Sequence, residues 1–213
     1  MRIEHLTVGP LETGCYVVSC DGAPDAMIID PGAEADRIIA YLAKNRLVPK
    51  YLVNTHGHID HIGANADLKA RFPNMQICVH ADDAACLVKP SKNLSFLQGV
   101  AYKSPPADVT LKEDDVLAVG QCELKVIHVP GHTPGGICLV SGPNAKKGAR
   151  VLFSGDSLFA GGIGRTDFPG GDEESLLSNL RSKVLSFDDN TAVYPGHGPP
   201  TTVGEERRSN PYL

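Results

Sequence analysis

The densest group of chemically capable side chains lies in one short segment, Thr55-His56-Gly57-His58-Ile59-Asp60-His61. Imidazole and carboxylate groups are ligand types that bind zinc, iron and manganese. His56 and His58 are two residues apart, so an extended backbone points both side chains to the same side. Asp60 and His61 follow where a helix is predicted to begin, and the change in chain direction can aim them at a neighbouring point. We therefore predict a metal centre here, because packing gives no reason for so many polar ligands at the end of a strand.

Three further candidate ligands each lie in a glycine-containing turn after a strand-like run. They are His132 in Pro130-Gly131-His132-Thr133-Pro134-Gly135, Asp156 in Ser154-Gly155-Asp156-Ser157, and His197 in Pro195-Gly196-His197-Gly198. Together the candidates exceed the positions around one tetrahedral zinc ion and indicate two metal ions. A carboxylate can bridge two cations, which makes Asp156 the candidate shared ligand. The predicted sets are His56, His58 and His132 on one metal, and Asp60, His61 and His197 on the other.

The remaining histidines and one glycine-rich segment are weaker candidates. His5, His80 and His128 have no neighbours that suggest a ligand role, so we expect them to be packing or surface residues. Gly161-Gly162-Ile163-Gly164-Arg165-Thr166-Asp167 resembles a phosphate-binding loop but lacks the third glycine and the lysine of such loops. We expect a loop beside the site, where Arg165 contacts either a substrate carboxylate or a carboxylate of the protein.

The elements that must position these side chains alternate between strand-like and helical runs. Apolar and β-branched runs predict strands at 3–8, 15–19, 26–30, 51–53, 76–79, 116–119, 124–128, 137–140, 151–153 and 191–194. Apolar spacing predicts helices at 35–45, 60–71, 81–88 and 173–185, a loop or lid at 89–107 and a polar turn at 141–148. Two mixed β-sheets flanked by helices satisfy this order, in an α/β fold. No stretch has the composition of a linker, so we expect one domain over residues 1–213.

Composition excludes several classes of protein. Of 213 residues, 42% are hydrophobic and 21% charged, which is typical of a globular chain and not of disorder. A net charge of −5 gives no basic footprint, so no nucleic-acid partner is expected. The N-terminus lacks a signal-peptide pattern and no apolar run is long enough for a membrane span, which favours the cytoplasm and no membrane partner. The six cysteines form no Cys-x-x-Cys pair and are expected to be reduced core residues.

The pattern His-x-His-x-Asp-His with a distant His, Asp and His resembles the metallo-β-lactamase superfamily, over nearly the whole chain from Gly9 through His197. The resemblance implies a four-layer αββα sandwich with a dinuclear metal site at one edge. Within the superfamily the chain is similar to small glyoxalase II-like, or hydroxyacylglutathione hydrolase-like, enzymes. The supporting segments are His132-Thr133-Pro134-Gly135, Gly155-Asp156-Ser157-Leu158-Phe159, Gly164-Arg165-Thr166-Asp167 and Tyr194-Pro195-Gly196-His197-Gly198.

This resemblance implies hydrolysis of a small thioester such as S-D-lactoylglutathione by a hydroxide that bridges two divalent metal ions. The seven ligands carry over one by one, zinc is the favoured metal, and iron and manganese are the alternatives. Asp60 and Asp156 would orient the hydroxide, and no organic cofactor is implied. Full-length glyoxalase II continues into a helical domain with glutathione contacts, which residues 198–213 do not match. The alternatives are persulfide dioxygenation at a single iron, and hydrolysis of a lactone or β-lactam by the same hydroxide.

Overall fold

The computed structural model describes residues 1–142 and 150–213, and in this part of the chain two six-stranded sheets pack face to face. The first sheet holds its strands side by side in chain order. They are β1 (Arg2–Val8), β2 (Thr13–Ser19), β3 (Asp25–Ile29), β4 (Val48–Val53), β5 (Gln76–His80) and β6 (Val109–Leu111). The first three strands pair antiparallel, and β3 to β6 pair parallel. The sheet is therefore mixed, as predicted.

The second sheet has the spatial order β14-β13-β10-β9-β8-β7. Its strands are β7 (Val116–Val119), β8 (Cys122–His128), β9 (Ile137–Ser141), β10 (Val151–Gly155), β13 (Ala192–Pro195) and β14 (Thr201–Thr202). A separate two-stranded hairpin consists of β11 (Leu158–Phe159) and β12 (Gly162–Ile163). The β10–β13 pair is parallel and the others are antiparallel. Most of the predicted polar turn at 141–148 lies outside the described residues.

Helices cover the outer faces of both sheets. They are α1 (Ala35–Asn45), α2 (Ile59–Ile62), α3 (Asn65–Arg71), α4 (Ala84–Val88), α5 (Glu173–Asn179) and α6 (Val203–Ser209). In α1, Ile38 and Leu42 are four residues apart and both are fully buried against the first sheet. The helix α5 begins where the side chain of Asp172 accepts a hydrogen bond from the Ser175 amide at 2.9 Å.

Alternation along the strands divides the core into three apolar layers. In β2, Tyr16 and Val18 face the second sheet, while Cys15 and Val17 face the helices outside the first sheet. A third layer joins β8, β9 and β10 to α5, where Leu176 is fully buried. Burying a leucine or isoleucine contributes about 1.5–3 kcal/mol. Three apolar layers separate four layers of secondary structure, which confirms the αββα sandwich. One domain over residues 1–213 stays a prediction.

Several predicted elements have different bounds in the structure. The single helix predicted at 60–71 is wrong, because α2 and α3 are separated by Gly63 and Ala64. A Cβ atom at Gly63 would overlap the Gly32 carbonyl oxygen, and the Ala64 amide donates to the Pro31 carbonyl at 2.9 Å instead of to a helical partner. This close approach of two backbones depends on tertiary contacts, which helical spacing does not encode.

Other differences are smaller. The helix predicted at 81–88 is a 3-10 turn, Ala81–Asp83, followed by α4, and the helix predicted at 173–185 ends in a π-helical turn, Leu180–Val184. The loop predicted at 89–107 contains a 3-10 turn, Ser95–Gln98, and the sequence did not predict β6, β11, β12, β14 or α6. All six cysteines are free, but Cys20 and Cys122 are only partly buried and are not core residues. No helix in the described part of the chain has the length and apolar character needed to cross a membrane.

Candidate metal centre

All seven predicted ligands meet at one edge of the sandwich. His56 and His58 follow β4, and Asp60 and His61 lie in α2. His132 follows β8, Asp156 follows β10 and His197 follows β13. Both β8 and β10 run antiparallel to β9, and β13 is parallel to β10, so their carboxyl ends lie at the same edge. Sites in layered α/β folds form at such carboxyl ends.

The first ligand triad consists of three imidazoles that meet through their ring nitrogens. The Nε2 atom of His132 lies 3.0 Å from Nδ1 of His58 and 3.3 Å from Nε2 of His56. Nitrogen ligands at about 2.0–2.1 Å from a tetrahedral zinc ion are roughly 3.3 Å apart. The spacing of the first triad therefore fits a shared metal ion.

The second ligand triad joins one carboxylate to two imidazoles. Oδ2 of Asp60 lies 3.2 Å from Nε2 of His197 and 3.5 Å from Nε2 of His61. All three ligand atoms lie within 4.8 Å of one another. This set has the chemistry and the spacing of a second metal site beside the first.

Asp156 lies between the two triads. Its Oδ1 atom is 3.3 Å from Nε2 of His61, and its Oδ2 atom is 3.5 Å from His197 and 3.7 Å from His132. Oδ1 of Asp156 and Nε2 of His61 are buried and have no hydrogen-bond partner among the described residues. Leaving such groups unpaired costs about 1–3 kcal/mol each, more when charged. A cation bound between these ligands removes that cost, so the residues present fit divalent metal ions.

Electrostatics place these ligands in protonation states suited to metal binding. Burial, followed by the neighbouring imidazoles, holds the pKa of His56 well below its usual range and lowers the pKa of His58 to about 3. Burial raises the pKa of Asp60, but His61 and His197 together outweigh burial, and the net shift of this pKa is downward. The pKa of Asp156 is likewise lowered against burial, chiefly by His61. His56 and His58 therefore present neutral imidazole lone pairs, and the carboxylates of Asp60 and Asp156 are ionised.

The histidines of the second triad differ. The pKa of His197 is raised against burial by Asp60 and Asp156, and the pKa of His61 is raised well above the usual range. Burial opposes this shift, but the carboxylates of Asp156, Asp60 and Asp30 stabilise the proton. A metal ion bound at the second triad would supply the positive charge that this proton supplies in its place.

Hydrogen bonds to backbone carbonyls orient two of the histidines. Nδ1 of His132 donates to the Arg165 carbonyl at 2.7 Å, and Nδ1 of His197 donates to the Leu11 carbonyl at 2.9 Å. The tautomers that make these bonds leave both Nε2 atoms free to face the ligand cluster.

Asp30 contacts Thr55 and His61 beside the ligand cluster, and the sequence analysis did not predict it as a site residue. Its Oδ1 atom accepts from the Thr55 amide at 2.7 Å, and its Oδ2 atom accepts from the Thr55 hydroxyl at 2.6 Å. Oδ2 also lies 3.0 Å from Nδ1 of His61. A carboxylate directly after the apolar run at 26–29 and before Pro31-Gly32 is the sequence signal that could have identified it.

Asp83 is a second supporting carboxylate that the sequence analysis missed. Its Oδ2 atom accepts from the Gly57 amide at 2.9 Å, and its Oδ1 atom accepts from the Gly135 amide at 2.8 Å. One buried side chain therefore joins the loop of His56 and His58 to the loop of His132. A Cβ atom at Gly135 would overlap Asp83, so this approach requires glycine. No local sequence pattern indicates the role.

Arg165 contacts a carboxylate of the protein, which is one of the two alternatives that the sequence left open; the other was a substrate carboxylate. Its Nε and Nη2 atoms each donate to Asp167 at 2.7 Å, and its guanidinium lies 3.8 Å from the centre of the Phe168 ring. The side chain is exposed at the edge of the site.

The histidines outside the cluster stack on other rings. His80 and His128 stack with centroids 3.9 Å apart, near Asp82, and Nε2 of His128 donates to the Pro134 carbonyl at 2.9 Å. The two ring planes are inclined by only 15° to each other. An imidazole nitrogen binds a metal ion in the plane of its ring, and one ion cannot lie in the planes of two nearly parallel stacked rings. His5 stacks on Tyr16 at 4.8 Å. These contacts support packing roles for the three histidines.

We expect His128→Gln to retain the metal content of the parent protein, because a glutamine amide can still donate to the Pro134 carbonyl. The matched variant His132→Gln should lose about one equivalent of metal, since it removes an imidazole from the first triad. Plasma mass spectrometry of both purified variants measures this difference. Loss of metal from His128→Gln with unchanged circular dichroism would show that His128 belongs to the site.

A pocket of about 600 Å³ opens above the ligand cluster. Residues of both triads form its floor, namely His58, Asp60, His132 and His197, together with Asp156. The volume is that of a small-molecule site, so a small ligand can reach both triads at once.

Comparison with known proteins gives consistent results. The family model described as "Metallo-beta-lactamase superfamily" matches residues 8–197. The chain is 38% identical to "Hydroxyacylglutathione hydrolase GloC" of Haemophilus influenzae, an alignment that covers 100% of this chain and 98% of that protein. Among solved structures, "BLEG-1 B3 metallo-beta-lactamase" superposes with a TM-score of 0.91 at 36% identity, covering 100% of this chain and 99% of that one. TTHA1623 "in a di-iron-bound form" superposes with a TM-score of 0.85 at 34% identity, covering 99% and 100%.

Proposed function

The chain belongs to the metallo-β-lactamase superfamily of metallohydrolases, and from this membership we propose that it hydrolyses thioesters in the manner of glyoxalase II. The observation that carries the proposal is the pair of ligand triads joined by Asp156 on the floor of an open pocket. The relative named as a hydroxyacylglutathione hydrolase, which matches the chain over its whole length, supports the thioester as substrate.

We assign the metal ligands as two sets with one shared member. His56, His58 and His132 would hold one divalent ion, Asp60, His61 and His197 would hold the other, and Asp156 would contribute to both. Zinc suits this set of nitrogen and oxygen ligands, and iron and manganese are the alternatives. When bound, two such ions supply Lewis acidity toward a carbonyl oxygen and lower the pKa of water toward neutrality.

The carboxylates of Asp60 and Asp156 then orient the reacting water. Both are ionised, and both face the pocket, so each can accept a hydrogen bond from water and direct its lone pair toward a thioester carbonyl. The leaving thiol has a pKa near 8.5 and departs as a thiolate. A side chain that donates a proton to the leaving group is therefore unnecessary, unlike in amide hydrolysis.

We expect the metal-loaded protein to release free thiol from S-D-lactoylglutathione without consuming oxygen. A thiol reagent and an oxygen electrode applied to the same sample measure both quantities. Asp36→Asn, an exposed carboxylate substitution in α1, is the matched control and should retain the rate. Oxygen uptake with glutathione persulfide and no thiol release from any thioester would overturn the proposal in favour of a dioxygenase.

Hydrolysis of a β-lactam is the second candidate. It is favoured by one observation, the TM-score of 0.91 and 36% identity to a structure described as a B3 metallo-β-lactamase. A chromogenic cephalosporin assayed beside the thioester shows for which of the two substrates kcat/KM is higher. We expect the thioester to give the higher kcat/KM, and faster turnover of the cephalosporin would reverse the order.

A further inference from the structure

The pocket above the ligand cluster has mostly apolar walls. They come from the β1–β2 turn, the 89–107 segment, the β11–β12 hairpin and the residues that follow it. The apolar side chains are Leu11, Leu94, Leu97, Phe159, Ile163 and Phe168, together with Ile59 of α2. Leu11 is 53% exposed and Leu97 is 59% exposed. These two exposed leucines do not pack in the hydrophobic core. Apolar surface of this kind at the mouth of a pocket is typical of a ligand-binding surface.

Aromatic rings flank both ligand triads. The Phe168 ring lies edge-on to His58, with centroids 6.1 Å apart, and the Phe159 ring lies edge-on to His197 at the same distance. A carbonyl group that reaches the floor of the pocket is therefore bordered on two sides by apolar surface. Phe159 and Phe168 offer a substrate dispersion contacts and no hydrogen bonds.

Cationic groups are scarce in the same walls. Arg165 is the one lysine or arginine among the described residues that line the pocket. Its guanidinium already makes two hydrogen bonds to Asp167. A thioester whose thiol or acyl part carries several carboxylates or phosphates finds no unpaired side-chain cation in these walls. The charge pattern favours an uncharged substituent beside the reacting carbonyl.

We propose that the acyl group of the substrate is apolar, with a chain of about six carbons or an aryl ring. This proposal rests on the thioester hydrolysis proposed above. The common thiol carriers are polar or charged. We therefore assign the apolar walls of the pocket to contacts with the acyl group of the substrate. The pocket of about 600 Å³ also has room for far more than a lactoyl group.

The test uses the metal-loaded protein and thioesters that share one uncharged thiol, N-acetylcysteamine. Each fully buried methylene favours binding about fourfold, and an open pocket buries about half of each. Hexanoyl has four methylenes more than acetyl, so we expect kcat/KM to rise about fifteenfold from the acetyl to the hexanoyl thioester. The hexanoyl thioester should also exceed S-D-lactoylglutathione.

A matched pair of variants in the Ser95–Gln98 turn assigns the effect to the pocket. Leu97 lines the pocket, whereas its neighbour Phe96, 56% exposed, is not among the lining residues. Leu97→Ser should lower the hexanoyl-to-acetyl ratio about threefold, and Phe96→Ser should leave it unchanged. Calorimetric binding of the non-hydrolysable S-hexyl and S-ethyl thioethers of N-acetylcysteamine should show the same chain-length preference and the same effect of Leu97→Ser.

The outcomes separate this inference from the proposed function. Hydrolysis of every thioester with no dependence on chain length, or with S-D-lactoylglutathione preferred, overturns the apolar acyl group and leaves thioester hydrolysis standing. Failure to hydrolyse any thioester overturns the proposed function. The thioether binding series then tests, without any turnover, whether the pocket prefers an apolar chain. Equal binding of the ethyl and hexyl compounds would overturn it.

Discussion

Asp156→Asn is expected to lower kcat/KM for thioester hydrolysis by at least about a thousandfold, which corresponds to about 4 kcal/mol. The substitution replaces an anion whose two oxygens lie within 3.7 Å of His61, His132 and His197 by a neutral amide. The amide has only one oxygen and a nitrogen that cannot ligate a metal, so the two triads lose the carboxylate that can serve both of them. We expect the metal content to fall in the same variant.

The control for this prediction is Asp36→Asn, the same chemical change at an exposed position in the first turn of α1. It should retain metal content and rate. Circular dichroism establishes that both variants are folded. Full metal content and normal turnover in Asp156→Asn would show that Asp156 is not a shared ligand.

Asp83→Ala is expected to reduce the free energy of unfolding by about 3 kcal/mol and to weaken metal binding by about 10–100-fold. The carboxylate accepts hydrogen bonds from the Gly57 and Gly135 amides in a fully buried position. Its removal leaves two buried N–H groups without an acceptor, each costing about 1–3 kcal/mol. The loops of the first triad then lose the group that fixes their separation.

The neighbouring Asp82 provides the control, because its side chain is 57% exposed. Asp82→Ala should change stability and metal affinity little, and Asp83→Asn should lie between the two because its amide keeps one acceptor. Chemical denaturation and competition with a chromogenic chelator measure the two quantities. Equal metal affinity in Asp83→Ala and Asp82→Ala would limit Asp83 to a purely structural role.

The residues of the candidate metal centre could be identified from the sequence because their chemistry is local. His56, His58, Asp60 and His61 lie within one short segment, and side chains of these types in such density have few uses other than binding a metal. The three distant candidate ligands could be named for a related reason, since each follows a strand in a glycine-containing turn, and the structure brings them to the same cluster. The layered fold followed from the order of apolar runs, and the structure confirms it.

The supporting groups were not predictable, because their roles depend on contacts between distant segments. Asp83 acts on two amides that are 26 and 52 residues away along the chain. The break between α2 and α3 arises from the contact of Gly63 with Gly32, which helical periodicity cannot register. The 89–107 segment was predicted only as a loop or lid, and its contribution of Leu94 and Leu97 to the pocket appears only in the folded chain.

The number of metal ions per chain at saturation tests the central claim most directly. Protein dialysed against excess zinc, then against metal-free buffer, is analysed by plasma mass spectrometry beside Asp60→Asn, which removes a ligand of the second triad alone. We predict about two zinc ions per chain in the parent protein, about one in Asp60→Asn, and a severe loss of kcat in that variant. A parent protein that saturates at one ion, with Asp60→Asn unchanged in metal content and rate, would contradict the dinuclear site.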